Sequence, residues 1–393
     1  MDYDPEYKPI IDYILEKLSE GNFPDYTKRD MALMTKLYNE ITMGLVSARA
    51  AQAKGDLLKT IVVGSQMTMP SPSRFMSNKI RQHITDNQKK QYVYKYKIGE
   101  RDFKIVFGLL SSTNISDAEL DLAAQKVCSW LVVCAKYAKA RCGRKQHIFI
   151  YMGGHKKKLP HSNIKTIGAD NVNSGFSSIC QHTNEIIIYR QEEWFKVFLH
   201  ETFHSFGFEP NETSERQLKN YLKDMLPIQP SVRVSEAYVE TWARILNSSY
   251  SAILKSADKD EYLSLVRFSL LVESMFSIIQ ASRILSFMNL TYSDIMDKTS
   301  VIARTMYKET THVFAYYILT ASFMFNPYRF LKWCGNFNTN WLEFNNSPYA
   351  VSNFESFITR TLRNRSLGEM YRETANLGGG LNIGLRMTIV DVK

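Results

Sequence analysis

The feature that most constrains the fold is a change of pattern near Lys90. Apolar and polar side chains alternate from Tyr92 to Ile98, Gly99-Glu100 can turn, and residues 103–107 resume the alternation. A period of two is typical of strands, so this stretch predicts a β-hairpin. The residues before it carry apolar side chains at helical spacing, and they predict an N-terminal helical extension over residues 1–85.

Helix and strand patterns then alternate as far as Gly207. A capping box at Ser116 and Glu119 opens an apolar stripe, which predicts a helix that runs to Cys142. The later predicted elements are a strand over 147–151, an extended piece over 172–179, a strand over 185–189, and a helix over 192–206 that Gly207 can end. This order predicts a sheet whose last strand leads directly into a helix.

The remainder of the chain is mostly helical by pattern. A long apolar segment runs from Tyr262 to Phe287, and the glycine-rich tail over 377–384 is flexible by composition. We therefore predict an α+β protein with three parts. They are the helical extension over 1–85, a lobe with a mixed sheet over 86–226, and a mainly helical lobe over 227–393.

Composition limits the class of protein. With 45% hydrophobic residues, the 393-residue chain can bury a substantial core. Its formal charge of +10 is moderate for this length. The basic clusters at 79–81, 156–158 and 360–365 are scattered and match no recognised module, so we expect no specific nucleic-acid partner.

Several features favour an intracellular, cytoplasmic protein. The five cysteines form no C-x-x-C pair and indicate reduced thiols with no disulfide framework. The acidic N-terminus lacks the order of a secretory signal. The uncharged stretch from Thr310 to Tyr328 contains His312 and Asn326, so it predicts a buried helix and no membrane span.

The segment Phe198-Leu-His-Glu-Thr-Phe-His204 carries the strongest chemical signal. His200 and His204 are four residues apart, so on a helix both imidazoles project from one face. Two imidazoles there can bind one zinc ion, which lowers the pKa of a bound water to about 7. Glu201 lies about 100° further around the helix, where its carboxylate can take a proton from that water. The competing interpretation is an amphipathic helix with two satisfied core histidines.

A catalytic zinc site needs a third ligand. A histidine at position 210 would complete a metzincin pattern, but Pro210 offers no ligand atom. The better candidate lies downstream in the segment 234–242, where Glu236 and Glu240 are four residues apart on a predicted helix. A solvated acidic helix face is the competing interpretation. The rival ligands are Glu209, Glu212, Glu215 and Asp224.

Taken together, these motifs resemble the gluzincin branch of the zincins, which includes thermolysin-like enzymes with a downstream N-E-A-x-S-D motif. The resemblance covers about residues 90–247, in the H-E-x-x-H motif and in the order of elements. It implies a zincin-like catalytic core and a zinc-dependent peptidase that hydrolyses protein or peptide substrates. It further implies one zinc ion per chain, bound by His200, His204 and Glu236, with Glu201 as general base.

The same resemblance implies roles for residues around the metal. Glu240 would orient His200 through a hydrogen bond, although Ser235 and Glu240 replace the Asn and Asp of the motif. The segment Val172–Ser178 would be an edge strand that pairs with an extended substrate, or else an ordinary surface strand. Its residues of interest are Asn173, Ser174, Gly175 and Phe176.

A peptidase also needs a donor for the oxyanion that forms on the substrate carbonyl. In gluzincins this donor is often a histidine or tyrosine of the helical lobe. His312 and Tyr317 are the candidates here, with Tyr316 and Tyr238 as alternatives, and for each one a core or surface role competes.

Two other functions compete with the peptidase. One is a catalytically silent zincin-fold protein with a structural or virion-associated role. The run E-E-W-F-K-V-F-x-H-E-T-F-H over residues 192–204 and the Tyr/Asn/Lys/Ile-rich composition are similar to those of uncharacterised predicted peptidases of large DNA viruses. This similarity would make the protein virion-associated. The other is a nucleic-acid-binding protein, which the scattered basic clusters favour least.

Overall fold

The computed structural model describes residues 3–20, 28–71, 76–111, 113–228, 232–378 and 383–392. The chain divides into two compact units, and each is built from separate stretches of sequence. The sheet unit comprises Lys36–Lys156 and Asn173–Phe208. The helical unit comprises Met1–Thr35, Lys157–Val172 and Glu209–Lys393. The protein is therefore of the α+β class, as predicted.

The sheet unit contains a mixed six-stranded sheet in the order β1-β2-β3-β4-β6-β5. Its strands are β1 Leu58–Val63, β2 Gln88–Ile98, β3 Arg101–Leu110, β4 Lys145–Tyr151, β5 Gly175–Ser177 and β6 Thr183–Ile188. The predicted hairpin is present as β2 and β3, and β3, β4 and β6 run parallel. The two edge strands, β1 and β5, run antiparallel to their single neighbours.

Helices make up most of the remaining described residues. In chain order they are α1 Lys8–Ser19, α2 Lys28–Lys54, α3 Asn78–Asn87, α4 Asp117–Tyr137, α5 Ala169–Val172, α6 Trp194–Phe206, α7 Glu212–Met225, α8 Val234–Lys255, α9 Lys259–Phe287, α10 Tyr292–Met296, α11 Val301–Met306, α12 Thr320–Met324, α13 Pro327–Phe337, α14 Pro348–Leu362 and α15 Arg365–Gly378. Short 3-10 turns lie at Pro5–Tyr7 and Gly64–Gln66, and a π-helical turn at Phe314–Leu319 precedes α12.

Both faces of the sheet are covered within its unit. On one face, Ile84 of α3 packs in a cluster with paired side chains of neighbouring strands, among them Val106, Phe149 and Ile187. On the other face, the ring of Phe107 lies 5.9 Å from that of Trp194 in α6. Successive side chains of a strand point to opposite faces, so Val106 packs on the face with α3 and Phe107 on the face with α6. The sheet core therefore fixes where α6 lies.

The predicted N-terminal helical extension is wrong at β1. Leu58–Val63 forms a strand that pairs with β2 in register from Leu58↔Lys95 to Val63↔Lys90. Four of its six residues are β-branched, which suits a strand. Alpha-helix α1 is present as expected, but its buried face packs on Val272, Met275 and Phe276 of α9 in the helical unit.

Helix α4 begins as predicted and ends earlier. Ser116 and Glu119 form the full capping box, but the helix stops at Tyr137 and does not reach Cys142. The guanidinium of Arg101 donates hydrogen bonds to the carbonyls of Ala138, Lys139 and Cys142. Those carbonyls are thus bonded to a side chain from β3 and not to a continuing helix.

The prediction that every cysteine is a reduced thiol is also wrong. Cys142 and Cys180 form a disulfide across 38 residues of sequence, and both belong to the sheet unit. The three remaining cysteines, Cys128, Cys134 and Cys334, are buried free thiols. Disulfides persist in oxidising environments, so cysteine usage no longer supports a cytoplasmic location. That location stays a prediction.

The C-terminal segment is buried in the helical unit. Residues 379–382 of the glycine-rich tail lie outside the described residues, but Gly384 is buried, and Leu385, Ile389 and Val390 are at most 1% exposed. This extended segment is held by side chains of α9. Gln280 and Arg283 donate to the carbonyl of Gly384. Of the tail that composition marks as flexible, Gly384 is buried, and the segment that follows it is part of the core.

One helix of the described residues, α9, is long and apolar enough to cross a membrane by length and composition. Of its most apolar stretch, 67% is buried within the protein, and core helices of soluble proteins pass the same test. The stretch Thr310–Tyr328, which is predicted to be a buried helix, contains the π-helical turn and α12, and most of its side chains are buried.

Candidate metal centre

The sequence around α6 explains why this helix begins and ends where it does. It follows β6 after a short turn in which Glu193 adopts a left-handed conformation, with φ of 58°. It ends at Gly207, whose φ of 70° is easy for a residue without a Cβ atom. All but the first residue of α6 are buried, and the indole of Trp130 donates a 2.7 Å hydrogen bond to Thr202.

The two histidines of α6 lie together, as their spacing implies. Their Nε2 atoms are 3.1 Å apart, and the side chains of His200 and His204 are 6% and 7% exposed. Zinc–nitrogen bonds of about 2.0–2.1 Å in a tetrahedral site would place two ligand nitrogens about 3.3–3.4 Å apart. The histidine pair therefore needs little adjustment to bind one ion.

Glu236, the third residue of α8, completes a group that could hold a metal ion. Its carboxylate and the ring nitrogens of His200 and His204 all lie within 4.8 Å of one another, and all three residues are buried. Two imidazoles and one carboxylate form a donor set that zinc accepts while a fourth position stays open. Within the described ranges, no second group of three or more potential ligands was found.

Glu215, which the sequence offers as an alternative metal ligand, binds main-chain groups at the start of α8. Its two carboxylate oxygens accept hydrogen bonds from the main-chain N–H groups of Val234 and Ser235, at 2.6 and 2.8 Å. These are among the unsatisfied donors at the start of α8, whose own N-cap residue makes no side-chain cap. Burial raises the pKa of Glu215, while the two hydrogen bonds act in the opposite direction. A distant carboxylate thus caps the helix that carries Glu236.

Glu240 lies on the same helix and is 1% exposed. It accepts a 2.9 Å hydrogen bond from Arg244, which also donates to the hydroxyl of Ser277 and to the carbonyl of Tyr316. The charge of Glu240 is therefore paired inside the helical unit. Its role in orienting His200 stays a prediction.

The predicted edge strand lies beside α6 and is shorter than expected. Only Gly175–Ser177 is a strand, at the edge of the sheet; Val172 ends α5, and Asn173 and Ser174 lie between the two elements. The carbonyls of Asn173 and Ser174 accept hydrogen bonds from Arg190 and from the N–H of Tyr189. Phe176 is half-buried and packs against the cluster that contains Ile84 of α3.

Strand β5 meets the predicted general base. The hydroxyl of Ser177 lies 2.8 Å from Oε2 of Glu201 and 3.0 Å from its main-chain carbonyl. A Cβ atom at Gly175 would lie 2.8 Å from the carbonyl of Ile187 and 3.4 Å from Oε1 of Glu201. Glycine is therefore required for the close approach to Ile187, and both carboxylate oxygens of Glu201 lie next to the strand.

The candidate oxyanion donors differ in how their side chains are used. The hydroxyl of Tyr317 donates to the carbonyl of Leu385 at 2.7 Å, and that of Tyr238 donates to the carbonyl of Leu342 at 2.8 Å. Each hydroxyl has one proton, and both protons are donated to carbonyls of the helical unit. This argues against the role of oxyanion donor that was predicted for Tyr317. His312 and Tyr316 are half-buried, with ring centroids 6.2 Å apart, and they stay candidates.

The roles of three supporting residues were not predicted from the sequence: Ser177, Glu215 and Arg244. Their partners are 24, 19 and 33 residues away, and no motif links them. Comparison with known families, curated proteins and solved structures finds no match for this chain. Function is therefore inferred from the geometry of the chain itself.

Proposed function

We propose that the protein is a zinc-dependent peptidase with a zincin-like core. The observation that carries this proposal is the buried group of His200, His204 and Glu236, with Glu201 on the same helix as the histidines. The order of elements supports it, because β3, α4, β4, the edge strand β5, β6 and α6 follow one another as in a zincin core.

His200, His204 and Glu236 would hold the metal. A zinc ion with three protein ligands lowers the pKa of a water and polarises a carbonyl group. Glu201 is the general base: its carboxylate accepts a proton from the attacking water and passes it to the leaving amine. A base on the helix that also holds two ligands keeps a fixed distance from them, which is the positioning that proton transfer needs.

The substrate is an extended protein or peptide chain. An edge strand can pair with such a chain through main-chain hydrogen bonds, and within the described part of the chain β5 pairs on one side only, with β6. The strand lies against Glu201 through Ser177, so a peptide bound along it would pass close to the general base.

Two measurements on the purified protein test the proposal. Elemental analysis is expected to give about one zinc per chain for the wild type and almost none for His204→Ala. The matched control is His161→Ala, which removes an exposed histidine outside the metal group and should leave the zinc content unchanged.

Hydrolysis of an unfolded protein is then compared between the wild type and Glu201→Gln. The amide keeps the shape of the side chain but cannot accept a proton, so we expect the rate to fall at least about a hundredfold while zinc stays bound. Equal proteolysis by both proteins would contradict the role of Glu201. A zinc-loaded wild type that cleaves nothing would favour the catalytically silent, structural alternative.

A further inference from the structure

We infer that Ser177 is a positioning residue for the general base, an inference that rests on the proposed function. Ser177 is the last residue of β5, and its hydroxyl lies within hydrogen-bond distance of Oε2 and of the main-chain carbonyl of Glu201. The carboxylate is the charged acceptor and the nearer one, at 2.8 Å, so it is the stronger partner for the single hydroxyl proton.

The contact restricts a side chain that would otherwise have several rotamers. A glutamate side chain has three torsions, and an anchor on one carboxylate oxygen reduces the positions that the other oxygen can take. Ser177 engages Oε2, and Oε1 lies where Gly175 leaves space for it. We therefore assign to the contact between Ser177 and Oε2 the task of orienting the Glu201 carboxylate.

The position of Ser177 couples the base to the substrate-binding strand. Ser177 pairs with Ile186 of β6, and its side chain reaches α6, so the base is tied to the strand that would align a peptide. Loss of the hydroxyl should leave peptide pairing along β5 intact, because main-chain groups make that pairing. The expected effect is therefore on kcat and not on KM.

The test compares four variants with the wild type in peptide hydrolysis. Ser177→Ala is expected to lower kcat about tenfold, the size of one hydrogen bond to a charged group, with KM changed less than about twofold. Ser177→Thr keeps a hydroxyl and should recover most of the rate. Ser177→Val has the shape of threonine without the hydroxyl, and its kcat should resemble that of Ser177→Ala. If the alanine variant folds poorly, the comparison of Ser177→Thr with Ser177→Val tests the role of the hydroxyl.

Ser205→Ala is the matched control for a hydroxyl near α6. Ser205 bonds to Gln146 and to the carbonyl of Thr202 but not to Glu201, so its loss should leave kcat near the wild-type value. A wild-type kcat in both Ser177→Ala and Ser177→Val, or a loss that appears in KM alone, would overturn the inference.

A direct observation separates this inference from the proposed function. Crystal structures of zinc-soaked wild type and Ser177→Ala would show the Glu201 side chain whether or not the protein cleaves peptides. One rotamer in the wild type and several in the variant would support the positioning role. The same single rotamer in both would refute it, even if the wild type proves to be an active peptidase.

Discussion

Helices α6 and α8 carry the three metal-binding candidates, and they are held in place in different ways. Helix α6 follows a buried strand after a short turn and ends at Gly207, which has a left-handed backbone conformation. The residues that determine its start and its end are therefore close to the helix in sequence. Helix α8 has no side-chain cap from its own N-cap residue and depends on Glu215 of α7.

The dependence of α8 on distant residues continues along its length. Arg244 bonds to Ser277 of α9 and to the carbonyl of Tyr316, and Asn247 donates to the carbonyl of Val390, 143 residues away. Two donors with i, i+4 spacing can therefore be identified from local sequence, whereas the residues that support the third donor come from several parts of the helical unit. Substitutions that remove each kind of support test this difference.

The largest stability loss is expected for Arg244→Met. Arg244 and Glu240 are each about 1% exposed, and removal of one partner leaves an uncompensated buried charge. We expect the free energy of unfolding to fall by about 3–5 kcal/mol in chemical denaturation. Arg329→Met, at an exposed position, is the control and should change it by less than about 0.5 kcal/mol. A small effect of Arg244→Met would mean that α8 does not depend on this network.

Glu215→Ala should have the next largest effect. It leaves two buried N–H groups at the start of α8 without their acceptor, which should cost about 2–3 kcal/mol of unfolding free energy. Glu212→Ala removes an exposed carboxylate from the same helix, α7, and serves as the control. If the free energy of unfolding falls by the same small amount in both variants, the start of α8 does not depend on Glu215, and α8 does not differ from α6 in this respect.

Gly207→Ala tests the local signal of α6 and should cost least. A residue with a Cβ atom at φ of 70° is strained, and that atom would lie 3.0 Å from Cβ of Cys180, so we expect a loss of about 1–2 kcal/mol. Gly154→Ala, where the added atom meets nothing within 4 Å, is the control. A loss in Gly207→Ala larger than that in Glu215→Ala would reverse the comparison.

Local patterns were sufficient for the elements that support the histidines. The hairpin of β2 and β3, the capping box of α4 and the limits of α6 each depend on a few neighbouring residues, and all are present. The same holds for the histidine pair, because helical periodicity alone places His200 and His204 on one face. Each of these features is determined by residues that are close to one another in the sequence.

Other features depend on contacts between residues far apart in the chain, and no short pattern predicts them. The end of α4 depends on Arg101, the disulfide joins cysteines 38 residues apart, and β1 is a strand because β2 pairs with it. Glu273 of α9 accepts main-chain hydrogen bonds from Ile389 and Val390, and it thereby holds the segment after the glycine-rich tail in the core. Ser177 likewise contacts Glu201 only when β5 has joined the edge of the sheet beside α6. A hydroxyl can orient a carboxylate only after folding has brought the two groups within hydrogen-bond distance.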